Sequence, residues 1–109
     1  MTHKGTATFI AQRASAVALL FLVIWFLWGL SAHAGAGHEE MRLWLSAPTG
    51  WAPMGLLIAV GAFHMRIGLN EIIDDYIDSG MRGVFKLLNL FAAVGAAAIG
   101  LGSLYLIAA

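Results

Sequence analysis

Three apolar runs separated by short polar segments make up most of the chain, and this alternation predicts transmembrane helices over about 14–34, 52–75 and 85–108. Each run supplies the roughly 20 residues needed to cross about 30 Å of hydrocarbon. The first, "ASAVALLFLVIWFLWGLS", follows Arg13 and carries Trp25 and Trp28 toward its far end. Near the start of the second stands Pro53, which suits the first turn of a helix because the N–H that proline lacks would be unpaired there. In the third, Ala92, Ala96 and Gly100 recur at every fourth position, with Gly95, Gly102 and Ser103 nearby. Such a face lets a second helix approach closely; the plainer reading is alanine turned to lipid.

Between the first two runs, "HEEMRLWLSAPTGW" mixes charge with Met41, Leu43, Trp44 and Leu45. That pattern predicts a short segment in the headgroup layer, with Trp44 and Trp51 as interfacial anchors. Lys4, Arg13 and the pattern Ala32-His33-Ala34 also outline a cleavable signal peptide. The apolar run exceeds the roughly 7–15 residues of such a peptide's core, which favours a span.

Composition agrees with a bilayer setting: 61% of the 109 residues are hydrophobic and 11% charged, against about 25% charged in soluble domains. The fold class predicted is an all-α membrane protein, a single domain over 1–109 in contact with lipid. Lys plus Arg and Asp plus Glu balance at six each, so no basic surface invites nucleic acid. The absence of cysteine removes thiolate metal sites and leaves histidine as the strong ligand type. Lys4 and Arg13 precede the first span, Arg42 stands alone in the first loop, and Arg82 and Lys86 occupy the second. The positive-inside rule therefore predicts a cytoplasmic N-terminus and an external C-terminus. Asp74, Asp75 and Tyr76 would then emerge on the cytoplasmic side.

His64 falls about 15–18 Å from either end of the second span, near the midplane, where an ionisable side chain is a functional hypothesis by default. Gly61, Gly68, Glu71 and Asp75 share its helix face within about 60°. Glycines flanking a histidine leave room for a flat macrocycle, so the stripe suits an axial haem ligand; it also suits tight helix packing. The remaining histidines, His3, His33 and His38, lie outside the spans. A haem with two midplane histidines would take the second from another chain, in a hetero-oligomer or a homodimer. Arg66 points about 200° from His64, and either a partner's carboxylate or a haem propionate could receive it.

The frame from His64 through Gly68 to Asp75-Tyr76 closely resembles the second span of the D-type hydrophobic anchor subunit of succinate dehydrogenase, respiratory complex II. "RASAVALLFL", Arg13 to Leu22, similarly looks like the opening of that family's first span. The resemblance implies a three-helix anchor that packs with the helices of a sister cytochrome b-type subunit around haem b. It makes His64 an axial ligand of the haem iron, the sister chain supplying the other histidine, and sets Arg13 near the haem propionates. It makes Tyr76 a hydrogen-bond donor to ubiquinone and Asp75 a support of the quinone site. Iron–sulfur and flavoprotein subunits complete the implied hetero-oligomer, in the bacterial inner membrane rather than the mitochondrial one. This chain would be a non-catalytic subunit of the enzyme. Two departures stand in the frame: Arg66 replaces the aromatic or histidine residue of relatives, and Asp74 their threonine. Two other functions fit parts of the sequence: a small proton-coupled transporter with a His64–Arg66–Glu71 relay, and a haemless structural membrane subunit.

Overall fold

A computed structural model describes residues 4–109. His3, named above, lies outside the described residues. Four α-helices follow one another: α1 (Lys4–Ala32), α2 (His38–Ser46), α3 (Pro48–Tyr76) and α4 (Ser79–Ala108). The three long ones are each apolar enough to cross a membrane. At 29 or 30 residues, each extends over about 44 Å, longer than the hydrocarbon core, so the helix ends reach the headgroup layers. α1 already begins at Lys4, ten residues ahead of the apolar run at Ala14. Helices are the fitting choice here because they satisfy every interior backbone group within the segment.

α3 is the central helix, packing against α1 on one side and α4 on the other. Few of the described residues are buried within the chain: Ile73, Ala93 and Leu104 among the apolar ones, Ser15 and Asn89 among the polar ones, and Gly29 and Gly50. Large apolar side chains such as Phe21, Trp28, Phe91, Ile99 and Leu106 remain outside, as expected of surfaces that meet lipid or other transmembrane helices.

The α3–α4 contact departs from the small-residue face read from the sequence. Asn89, Ala93 and Leu104 are buried there, with Gly100 beside α3, whereas Ala92 and Ala96 are exposed. A Cβ on Gly100 would lie 2.8 Å from Ile58 Cγ2, so α4 comes close to α3 at Gly100. The interhelical face is thus turned from the four-residue series that the spacing suggested. Asn89 decides the rotation, because its carboxamide must find partners on α3 or remain unsatisfied in an apolar layer.

Pro48, rather than Pro53, occupies the first turn of α3. Pro53 lies inside the helix and withholds the amide that would bond the Thr49 carbonyl. The short turn before α3 depends on Gly50, because a Cβ there would fall on the Trp44 carbonyl. α2 rests against α3 and α4 at the end where α1 finishes. Its Trp44 is more than an interfacial anchor. The indole stacks on His33 at 4.4 Å between centroids and lies 5.7 Å from Trp25. Gly29 of α1 leaves the space that its edge fills.

Candidate functional site

α1 and α3 run antiparallel, which brings the polar residue near the start of one apolar run to the histidine in the middle of another. Ser15 Oγ and His64 Nδ1 are 2.7 Å apart. Ser15 is buried and His64 half-buried. The same hydroxyl lies 3.0 Å from the Gln12 carbonyl, one turn back along α1, and donates to it. His64 also lines a cavity of about 290 Å³ with Phe9, Gln12, Arg13 and Ala16. Arg13 is itself exposed, with its guanidinium carbon 5.0 Å from the Phe9 ring centroid, a cation–π arrangement. The structure therefore brings Arg13 and His64 together and adds Ser15, which the sequence reading did not single out. A serine at the start of the apolar run was the available signal.

The glycines flanking His64 leave its face open. A Cβ on Gly68 would meet nothing within 4 Å, and one on Gly61 would meet only Leu19 Cδ2 at 4.0 Å. A single imidazole, an open strip along α3 and a cation beside it form a donor set that fits one half of an axially ligated haem site. Among the described residues, the other two histidines lie too far away to complete it. His33 stands 18 residues beyond Ser15, about 27 Å along α1. It is held there by the Gly29 carbonyl at 2.7 Å and by the stack on Trp44. His38 begins α2 at the same end. Among the described residues no group of three or more metal-ligating side chains gathers.

Tyr76 and Asp75 end α3, about 18 and 16 Å along the helix from His64. Both are exposed, Tyr76 at 82%, so the phenol is presented outward at a membrane boundary. Asp74 behaves differently: its carboxylate pairs with Lys86 of α4 at 2.6 Å, across the turn that joins the helices. Arg82 completes the turn by donating from Nε to the Ile77 carbonyl at 2.9 Å. Asp74 thereby has a structural partner, while Asp75 stays outside that pair.

Arg66 turns away from the His64 cavity, as its helical angle required. It lines a groove of about 540 Å³ with Thr8, Asn70, Glu71, Asp74 and Lys86. Its backbone carbonyl accepts from Asn89 Nδ2 at 2.8 Å, and the same amide nitrogen bonds Asn70 Oδ1 at 2.9 Å. Asn70 and Asn89 were also missed in the sequence; an asparagine within "KLLNLF" was the sign that a polar contact with another helix was needed. A larger groove, about 700 Å³ and almost wholly apolar, lies at the other end between Trp51, Gly55, Leu101 and Tyr105.

Comparison with known proteins places this geometry in context. The family model for the succinate dehydrogenase/fumarate reductase transmembrane subunit matches residues 1–98. A curated relative, the succinate dehydrogenase hydrophobic membrane anchor subunit of Paracoccus denitrificans, is 30% identical over 98 residues, covering 87% of this chain and 76% of the relative. No solved structure matches the chain. On three membrane-length helices and a match that spans nearly the whole sequence, the chain belongs to the succinate dehydrogenase/fumarate reductase transmembrane subunit family.

Proposed function

We propose that the chain is the hydrophobic anchor of a succinate:quinone oxidoreductase, holding one half of a haem b site and contributing to a ubiquinone site. The observation that carries this reading is His64 at mid-span, tied through Nδ1 to Ser15 and flanked by open glycine positions and Arg13. Haem b, when bound, supplies a one-electron redox centre within the membrane. His64 would hold its iron from α3, and Arg13 would offset the negative charge of the propionates. The second axial histidine would come from a sister cytochrome b-type anchor subunit packed on the exposed apolar faces.

Tyr76 would donate its O–H to a quinone carbonyl, since a phenol combines a donor with a ring suited to the membrane boundary. Asp75, next to it, would orient the site or pass on protons. The N-terminus would be cytoplasmic, which sets Asp75 and Tyr76 beside a soluble iron–sulfur subunit and its flavoprotein, in a bacterial inner membrane. Succinate oxidation belongs to that soluble pair, and this chain docks it to the membrane. A proton-coupled transporter is less well supported: His64 faces the α1 cavity while Arg66 and Glu71 line a different groove.

The test is a reduced-minus-oxidised optical spectrum of the purified complex, with co-purified subunits identified by mass spectrometry. A b-type spectrum reducible by succinate, lost in His64→Ala, is the expected result. A complex without b-type absorption overturns the haem assignment.

A further inference from the structure

We propose that Ser15 is a positioning residue that fixes the tautomer of His64, holding the proton on Nδ1 so that Nε2 presents its lone pair to iron. The inference rests on the haem-ligand reading above and deepens it. A serine hydroxyl has one proton. The Gln12 carbonyl, 3.0 Å away, can only accept, and so takes that proton. Toward His64 Nδ1, at 2.7 Å, the oxygen can then only accept. Nδ1 accordingly carries the hydrogen, and the neutral ring keeps its lone pair on Nε2. Ser15 is 6% exposed, so water has little access to compete for the oxygen.

The arrangement does two things for a ligand. It fixes the ring's orientation, since a bond from α1 to Nδ1 resists rotation of the imidazole about its link to α3. It also increases the electron density on the ring, because an acceptor on Nδ1–H makes the other nitrogen a better donor. A more basic axial ligand favours ferric over ferrous iron. Ser15 thus biases the haem toward the oxidised state without touching the iron or the macrocycle. Gln12 takes part only as the acceptor that settles the direction of the serine proton.

The experiment uses the assembled complex containing this chain as wild type, Ser15→Ala, Ser15→Cys and Ser15→Thr. Ser15→Cys preserves the shape while weakening the acceptor, and Ser15→Thr retains a hydroxyl. The first readout is ¹⁵N NMR of histidine-labelled complex, with His64 assigned by difference from His64→Gln. In complex freed of haem, whose iron would otherwise occupy Nε2 whatever stands at position 15, a protonated Nδ1 is expected in wild type and Ser15→Thr, and a mixture of tautomers in Ser15→Ala and Ser15→Cys. The second is a redox titration of the haem with electron paramagnetic resonance of the ferric form. Ser15→Ala and Ser15→Cys should raise the midpoint potential and weaken haem retention about tenfold, with Ser15→Thr restoring both. Unchanged tautomer, potential and spectra in variants that assemble overturn the proposal, as does a wild-type His64 protonated on Nε2. A complex lacking haem overturns the haem assignment instead, and the ¹⁵N readout still judges the tautomer.

Discussion

Asn89 of α4 donates to Asn70 of α3 at 2.9 Å and to the Arg66 carbonyl at 2.8 Å, clamping the two helices where both are otherwise apolar. Asn89 is 5% exposed, and its own Oδ1 has no hydrogen-bond partner among the described residues. Interhelical hydrogen bonds in membranes contribute about 0.6 kcal/mol on average and up to about 1.7. Asn89→Leu should therefore lower the stability of the chain in detergent by about 1 kcal/mol, read from denaturant unfolding. A variant as stable as wild type would show that the clamp contributes nothing net.

Gly100 sets the distance between the same helices. A methyl group there would press on Ile58 Cγ2, a branch fixed at Cβ that cannot swing aside as a chain end could. Gly100→Ala should cost about 1–3 kcal/mol, the range for overpacking. Gly102→Ala, where a Cβ meets nothing within 4 Å, is the control and should be neutral or stabilising. Equal thermal midpoints for the two variants would contradict the assigned contact.

Tyr76→Phe keeps the ring and removes the donor. Loss of the hydrogen bond proposed from Tyr76 to quinone should reduce quinone turnover about three- to tenfold. Succinate oxidation with an artificial soluble acceptor should be nearly unaffected. A parallel fall in both activities would place the defect in assembly rather than at the quinone.

At the opposite membrane boundary, Arg42 hydrogen-bonds Glu39 at 2.7 Å and, by that bond and its charge, holds the carboxyl below its usual range. A lowered folded-state value means that the pair's contribution is present above the unfolded pKa and is lost as pH falls through the folded one. Because both groups face solvent, the effect on stability is small. The measurable consequence is local: in a ¹³C carboxyl titration, Glu39 should titrate at lower pH in wild type than in Arg42→Ala. Coincident curves would refute the pairing.

The sequence by itself determined the all-helical membrane architecture, the mid-span depth of His64 and the placement of Asp75 and Tyr76 at a helix end. Hydropathy and a fixed rise per residue are one-dimensional properties, and counting along the chain recovers them. They do not specify how one helix is rotated against its neighbour. The spacing therefore pointed to the alanines at 92 and 96, whereas Asn89 and Gly100 turn Ala93 to the α4 face that packs. Pro53 likewise read as a first-turn residue, where the structure has Pro48, because the apolar pattern fades before the helix does.

Only the tertiary structure joined residues far apart in the chain: Ser15 to His64, Asn89 to Asn70, and Asp74 to Lys86. Hydrogen bonds and ion pairs act over about 3 Å and depend on direction. Their partners are chosen by the crossing of helices rather than by spacing within any one of them.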